Sequence, residues 1–325
     1  MIRSVAGSWS RCRKSLWRVT IVVACLIGLS ACAGTPVTDR LMATPPAGLP
    51  SFVELSETPF FPQTAYYCGP AALATVLSAS GQDLAPDEIA KQVYTPGRNG
   101  TLQTEIKTGS RRNARLALPV GSIPDALHHV ANGRPVLILQ NLALEIMPQW
   151  HYAVLVGYDL KKKRVVLRSG TTKRRVISLE TLEHTWGRGD FWGVVVVAPE
   201  GPVPAGTGLS DWLQESLGLE RAGNTSSAKM AYKTASVHWR NEPTPLISLS
   251  NIYYANGNLS AAASQLTLAL ARAPDHPIAL NNLAHILMKQ GDLERAEVLA
   301  RRAQEVGGGA AARETLSEIL AKQKG

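Results

Sequence analysis

Apolar residues recur every three or four positions along the first half of the chain. This helical spacing predicts a helix over residues 69–80 and shorter helices over 86–93, 102–108 and 123–131. After Pro135 the spacing changes to runs of consecutive apolar residues. Because Gly and Pro end helices, the change marks the point at which strands begin.

The apolar runs predict buried strands, then a hairpin, a further helix and a last strand. Helices followed by antiparallel strands predict an α+β domain over residues 51–198. The segments are strands over 136–139 and 152–158, a hairpin of 164–168 with 174–178, a helix beginning at Ser178 and a strand over 192–198.

From residue 209 onward the chain is helical and repeats with a period of 34 residues. Glycine recurs at one position of the period, and alanine recurs at two others. The glycines suit turns, and the alanines let paired helices approach each other. The recurring residues are Gly223, Gly257 and Gly291; Ala228, Ala262 and Ala296; and Ala235, Ala269 and Ala303.

These features resemble tetratricopeptide repeats, in which Trp212, Tyr253 and Pro274 also occupy consensus positions. The first copy departs from that family, because Glu215 and Ser216 stand in place of the usual Leu-Gly pair. The resemblance implies an all-α domain that recruits a protein partner. After a Pro- and Gly-rich linker over 199–208, the implied domain 209–325 holds repeats at 209–242, 243–276 and 277–310 and a cap helix at 311–323.

The N-terminus has the pattern of an export signal, with a basic stretch, an apolar run over 19–29 and small residues before Cys32. The sequence Leu-Ser-Ala-Cys resembles a bacterial lipobox, which implies a signal over residues 1–32 and an acylated Cys32. An uncleaved membrane anchor is the alternative, although the run is short for a spanning helix. Residues 33–50 are predicted to be a flexible tether. We therefore expect a lipid-anchored protein on the periplasmic face of the outer membrane of a Gram-negative bacterium.

Charge narrows the choice of partners. The formal net charge is +9, from 34 Lys and Arg against 25 Asp and Glu, but five of the basic residues lie in the predicted signal. The rest of the chain carries 29 basic residues against 25 acidic ones, and this small excess argues against a nucleic-acid binder. One local excess remains, because eight basic residues and no acid lie between Lys161 and Arg175. This hairpin either faces water or meets anionic lipid headgroups or an acidic partner.

Cys68 is the one cysteine left once the signal is removed and Cys32 is acylated. It stands at the start of the first predicted helix, just before a Gly-Pro pair, and Pro suits the first helical turn. A thiolate there is stabilised by the helix dipole and by unpaired N–H groups. The Gln63 amide and the Cys68 N–H can together hold the oxyanion of a tetrahedral intermediate. A buried structural cysteine is the alternative.

A general base for this thiol is available among the seven histidines. His151 stands at the beginning of the predicted central strand, where a rigid backbone can hold its ring within reach of a thiol on a helix. The other histidines lack such a context: His128, His129, His184, His238, His276 and His285. With no clustered ligand set and no phosphate-binding Gly loop, we expect neither a metal nor a cofactor.

Three pieces of the chain resemble C39-type cysteine peptidases of the papain-like superfamily. They are Gln63, the sequence Cys-Gly-Pro-Ala-Ala at 68–72 and the sequence His-Tyr-Ala-Val-Leu-Val-Gly-Tyr at 151–158. The resemblance covers roughly residues 52–198 and implies a papain-like fold. It implies Cys68 as the nucleophile, His151 as the general base and then acid, and Gln63 as the oxyanion donor.

The third catalytic residue of that family is missing from its usual place. It is usually Asp or Asn before Pro and should fall within residues 167–170, where this sequence reads Leu-Arg-Ser-Gly. Ser169 is the possible orienting residue for His151, acting through a hydroxyl more weakly than a carboxylate would. Asp159 is a poor substitute, because it lies about 25 Å from His151 along the strand. Asp190 is distant in the sequence, and only the fold could bring it back to the His151 ring.

The sequence thus predicts a lipid-anchored periplasmic cysteine peptidase that hydrolyses peptide bonds through a Cys-His dyad. Its repeats would recruit a protein partner or substrate, and the lipid on Cys32 would contact the membrane. One alternative is a non-catalytic peptide-binding adaptor on a peptidase-like fold, because the third residue lacks a carboxylate. Another is a cell-wall amidase or acyl transferase that uses the same thiol. No transporter segment or Walker loop is present, so processing of double-glycine leaders is not implied.

Overall fold

The structure of the chain, a computed structural model, describes residues 34–63, 67–98 and 100–324. The predicted export signal and Cys32 lie outside these residues. Within the described ranges, no helix combines the length and the apolar character needed to cross a membrane.

The N-terminal region is built from six helices and seven strands among the described residues. The helices predicted over 86–93 and 123–131 are found with those bounds, and each has Pro in its first turn. The elements in chain order are α1 (Pro36–Ala43), β1 (Phe52–Glu54), α2 (Cys68–Ala79), α3 (Pro86–Val93), α4 (Gln103–Arg112), β2 (Leu116–Val120), α5 (Ile123–Ala131), β3 (Val136–Asn141), β4 (Trp150–Asp159), β5 (Arg164–Ser169), β6 (Thr172–Ser178), α6 (Leu179–Gly187) and β7 (Gly193–Val197).

All of these strands join one antiparallel sheet in the order β2-β7-β3-β4-β5-β6, with β1 also paired to β4. Side chains alternate between its two faces. Leu137 and Leu139 pack with α2, α3 and α4 on one face, whereas Val136 and Ile138 pack with α1, α5 and α6 on the other. The sheet therefore lies between two helical layers, and β4 runs through its middle.

The segment predicted to be a flexible tether over 33–50 is partly helical, because α1 occupies Pro36–Ala43. The side chain of Glu183, on α6, accepts the N–H groups of Val37 and Thr38 at 3.0 and 2.7 Å. Leu41 is buried against the sheet's helical layer. A carboxylate at the positive end of the helix and one buried apolar side chain therefore hold α1 on the domain. The Pro- and Gly-rich composition of the segment did not indicate this docking.

The C-terminal region is all-helical and follows a segment, 199–208, without helix or strand. Its paired helices have the period predicted from the sequence, and the recurring alanines are fully buried between them. The recurring glycines all have positive φ in the turns, a conformation that favours glycine. The helices are α7 (Leu209–Arg221), α8 (Thr225–His238), α9 (Thr244–Ala255), α10 (Leu259–Arg272), α11 (Pro277–Gln290), α12 (Leu293–Glu305) and α13 (Gly309–Lys324).

The first repeat packs directly on the sheet domain, through contacts of α7 with β2 and α4. Glu215 on α7 is 1% exposed and accepts hydrogen bonds from Arg111 at 2.8 and 2.9 Å. The Nζ atom of Lys107 lies 3.1 Å from the same carboxylate. Glu215, one of the two residues that depart from the repeat consensus, therefore pairs across the domain boundary.

Candidate functional site

Cys68 is the first residue of α2 and carries a free thiol. It is half-buried, and its helix continues as a run of buried residues packed on β4 and its neighbours. Gly69 follows it in close contact with Thr101, because a Cβ added at Gly69 would lie 2.5 Å from the Thr101 side chain. The thiol therefore stands at a helix N-terminus whose backbone is tightly packed.

His151 is the second residue of β4 and is bonded to Ser169 at the end of β5. The distance from His151 Nε2 to Ser169 Oγ is 2.8 Å. Within the described residues, no hydrogen bond joins His151 to Cys68, Asp159 or Asp190. The fold thus brings His151 to the hydroxyl that the sequence suggested, and among the described residues Nδ1 is the ring nitrogen without a hydrogen bond.

Burial lowers the pKa of His151 to about 4, and the positive charge of Arg175 on β6 acts in the same direction. The imidazole is therefore neutral at pH 7 and can accept a proton. In a neutral ring hydrogen-bonded through Nε2–H to the Ser169 oxygen, the acceptor is Nδ1. A hydroxyl can also donate, so Ser169 does not enforce this tautomer as a carboxylate would.

Gln63 lies in the segment that leads to Cys68 and is 8% exposed. Its backbone N–H donates to the carbonyl oxygen of Gly170 at 3.0 Å. Its side-chain oxygen is buried and has no hydrogen-bond partner among the described residues. Because Gly170 follows Ser169, the end of β5 fixes both the His151 ring and the backbone of Gln63.

Arg168 is a buried cation that the sequence did not single out. It is 3% exposed and lies beside Ser169 on β5. Its guanidinium donates to four backbone carbonyls, those of Leu55 at 3.4 Å, Ser56 at 2.9 Å, Thr58 at 3.2 Å and Lys173 at 2.8 Å. Arg168 therefore clamps the segment before Gln63 to the sheet. In the sequence it was only one of the eight basic residues of the hairpin, with nothing to mark it as buried.

Tyr152 is a second residue that sequence reasoning missed. Burial raises its pKa, and the charge that Cys68 would carry as a thiolate raises it further. The phenol is therefore protonated, and it donates to the backbone oxygen of Thr101 at 3.2 Å. Tyr152 thus ties β4 to the residue that packs on Gly69.

The basic hairpin between Lys161 and Arg175 presents fewer free charges than its composition suggested. Arg168 is buried, and Arg174 forms a bidentate pair with Glu54 at 2.7 and 2.9 Å. Lys162 lies 3.7 Å from Asp159. Strand β6 is exposed at the sheet edge, where basic side chains prevent pairing with other strands.

Two family models match the chain. Residues 55–190 match the Peptidase_C39 like family, and residues 253–319 match the Tetratricopeptide repeat. Among curated proteins, none matches this sequence significantly. In the described ranges, no group of three His, Cys, Asp or Glu side chains is placed to hold a metal ion.

Solved structures similar to this chain fall into the same two groups. A protein described as a C39-like peptidase from Bacillus anthracis is 18% identical over 46% of this chain and 98% of its own, with a TM-score of 0.40. The Sgt2 TPR domain from Aspergillus fumigatus is 21% identical over 38% of this chain and 83% of its own, with a TM-score of 0.34. The Yersinia enterocolitica type III secretion chaperone SycD, in complex with a peptide of the translocator YopD, is 17% identical over 35% of this chain and 94% of its own, with a TM-score of 0.33.

Proposed function

The chain joins a C39-like peptidase domain to tetratricopeptide repeats, and from this premise we propose that it is a cysteine peptidase with Cys68 as its nucleophile. The observation that carries the proposal is the 2.8 Å contact between His151 Nε2 and Ser169 Oγ. It orients a neutral imidazole on β4, the strand against which the helix bearing the thiol packs. A base held in this way is what a weak nucleophile requires.

In the proposed reaction, Nδ1 of His151 takes the thiol proton as Sγ attacks the carbonyl carbon of a peptide bond. The tetrahedral intermediate collapses when the imidazolium returns that proton to the leaving amine, which leaves a thioester on Cys68. Water then attacks the thioester, with His151 again as the base, and releases the acid. Catalytic hydrogen bonds are often long in the free enzyme, so we expect the bond from Cys68 to His151 to form with substrate bound.

Gln63 is the proposed oxyanion donor. Its backbone bond to Gly170 supports this role, because it ties the residue to the same strand end that orients His151. Its amide would act together with the Cys68 backbone N–H on the charge that develops on the carbonyl oxygen. Ser169 is the proposed orienting residue in place of the usual carboxylate or amide.

The repeats are proposed to recruit a peptide or a protein partner for the peptidase domain. Support comes from the match of residues 253–319 to the Tetratricopeptide repeat and from SycD, a similar chain solved with a bound peptide. We propose in addition that Cys32 is acylated and anchors the protein at the periplasmic face of the outer membrane. The sequence before Cys32 supports this anchor.

The thiol chemistry is tested by alkylating Cys68 with iodoacetamide as a function of pH and resolving the modified residue by mass spectrometry. We expect fast alkylation at neutral pH and a large loss of rate in His151→Ala, because the neutral ring no longer accepts the thiol proton. His184→Ala, in an exposed histidine of α6, is the matched control. A rate that does not depend on His151 would favour the non-catalytic adaptor.

The reaction type is tested separately by incubating the chain and its Cys68→Ala variant with a peptide library and with cell-wall peptides. Cleavage of ordinary peptide bonds that Cys68→Ala abolishes supports the peptidase. Release of amides from cell-wall peptides, or transfer of their acyl groups, with no cleavage in the library would assign the thiol to that other chemistry.

The lipid anchor is tested by incorporation of labelled fatty acid, which should be lost in Cys32→Ala. A wild-type chain that takes up no label would contradict the anchor.

A further inference from the structure

The buried carboxylate of Glu215 joins the first repeat to helix α4. Besides its bonds with Arg111 and Lys107, it lies 3.4 Å from the backbone N–H of Ala117 at the start of β2. All three partners belong to the sheet domain, so the contact is entirely between domains. Because the carboxylate is 1% exposed, these partners compensate for its loss of hydration in the interior.

Two further residues of the first repeat fit the same helix. A Cβ at Gly218 would lie 2.3 Å from Nε of Arg111, so only glycine leaves room for the guanidinium to lie across α7. The side chain of Asn224 donates to the carbonyl oxygens of Arg111 at 2.6 Å and Arg112 at 3.1 Å. These carbonyls lie at the C-terminal end of α4, beyond which no further helical turn follows, and that of Arg111 also accepts the N–H of Ala114 at 3.0 Å.

The opposite side of α4 packs on the helix that carries the thiol. Ile106 is fully buried in the cluster that contains α2. A Cβ at Gly109 would lie 2.8 Å from the side chain of Leu73 on α2, so the two helices are in close contact. A shift of α4 must therefore move either α2 or the residues between them.

The segment that enters α4 contacts the residue next to Cys68. Thr101 stands two residues before α4 and packs on Gly69, the neighbour of Cys68. Its carbonyl oxygen receives the hydroxyl of Tyr152, which fixes Thr101 to β4. An unbroken series of contacts thus runs from the carboxylate of the first repeat through α4 and Thr101 to the nucleophile's helix.

We infer that Glu215 is a positioning residue for Cys68, which makes the first repeat a working part of the peptidase site. The repeat holds α4, and α4 holds Thr101 against the N-terminal turn of α2. The inference rests on the proposed role of Cys68 as the nucleophile. It departs from a simple recruiting role, because the repeats would then set the reactivity of the thiol even without a partner.

The test uses the full chain and compares Glu215→Gln with wild type in two measurements. Alkylation of Cys68 should slow by about fivefold or more, the usual size of coupling between distant sites. Hydrogen exchange should rise over residues 101–112 and stay unchanged in β3 and β4. Glu215→Asp, which keeps the charge, should restore much of both. The matched control is Thr234→Val, which removes a different contact of the repeats, a hydroxyl bond of 2.8 Å to the carbonyl oxygen of Pro199.

The inference is overturned if Glu215→Gln leaves both the alkylation rate and the exchange of 101–112 at wild-type values. It is also overturned if exchange rises equally in β3 and β4, which would show general loosening. Should Glu215→Gln fail to fold, Asn224→Ala decides the matter, because it removes only the cap of α4 and must change both measurements in the same direction. If His151→Ala slows alkylation while the Glu215 and Asn224 variants do not, the inference is wrong and the proposed role of Cys68 stands. If none of these variants slows alkylation, the proposed role of Cys68 is wrong as well.

Discussion

Two regions of this molecule depart from their family patterns in opposite directions. Beside His151, a serine hydroxyl stands where C39-type peptidases usually carry Asp or Asn. In the first repeat, the buried carboxylate of Glu215 stands where tetratricopeptide repeats usually carry Leu. One region lacks a charge where it was expected, and the other carries a charge where none was expected.

The partners explain the difference. Ser169 keeps a hydrogen bond of 2.8 Å to His151 without adding charge, and burial, with the nearby Arg175 acting in the same direction, leaves the imidazole neutral. The carboxylate of Glu215 has two cationic partners in a buried place, Lys107 and Arg111 of the other domain. A departure from a consensus is therefore not by itself a sign of decay, and its meaning depends on what the substituted side chain contacts.

The largest effect is expected at the domain boundary. Glu215→Leu restores the consensus residue but leaves two cations without their carboxylate, which should lower the free energy of unfolding by about 3 kcal/mol. Glu215→Leu combined with Arg111→Leu should recover most of this loss, since an apolar pair replaces the ion pair. Urea unfolding of the full chain measures both. If Glu215→Leu alone is as stable as wild type, the ion pairs of Glu215 contribute nothing to the free energy of unfolding.

The buried cation beside Ser169 gives the next largest effect. Arg168→Met should cost about 2–3 kcal/mol, because the carbonyl oxygens of Ser56 and Thr58 lose their donor in the interior. It should also slow alkylation of Cys68, since the segment before Gln63 loses its clamp. Arg164→Met on the same strand is exposed and should change stability by less than about 0.5 kcal/mol. Equal losses for the two variants would argue against the clamp.

Charge at the orienting position sharpens the comparison further. Ser169→Ala should slow alkylation of Cys68 at pH 7 about tenfold, the equivalent of one hydrogen bond of about 1.4 kcal/mol. Ser169→Asp supplies the missing carboxylate, which should fix the tautomer of His151, raise its pKa and speed alkylation above wild type. If Ser169→Ala reacts as fast as wild type, Ser169 does not orient the ring.

The smallest effect is expected from the pH dependence. Since the pKa of His151 is lowered to about 4, the ring is an unprotonated base above that pH, and the part of the alkylation rate that depends on His151 should fall as pH drops through about 4. Arg175→Gln removes one cause of the lowering, so the pKa rises and this fall moves to higher pH. Arg164→Gln, at the far end of β5, should leave the profile in place. A wild-type fall near pH 6.5 would contradict the effect of burial.

Local patterns were enough to predict the repeats and most helices. The 34-residue period and the amphipathic helices α3 and α5 depend on neighbours in the sequence, so their bounds were predictable. Strand β2 was missed because Pro119 interrupts its pattern. In the structure β2 is an edge strand whose pairing partner, β7, lies far along the chain, and an edge tolerates Pro.

The candidate site was predictable only as far as its residues carry motifs. The Cys-Gly-Pro sequence and the strand at His151 pointed to the nucleophile and the base, and these roles stay predictions. The bond to Ser169 was expected only as one option, because strand register decides which side chain meets the ring. Arg168 had no local signal, and Glu215 was marked only as a departure from the repeat consensus, since their buried partners include carbonyls and cations more than 95 residues away in the chain.

The docking of α1 has a consequence for how far the protein can reach. Only three residues separate Cys32 from Pro36, so the chain between an acylated Cys32 and the docked helix spans at most about 14 Å. If the anchor forms as proposed, this short segment would hold the folded domains close to the lipid surface. Its search for substrate would then be two-dimensional, confined to proteins and peptides that come within one molecular diameter of the membrane.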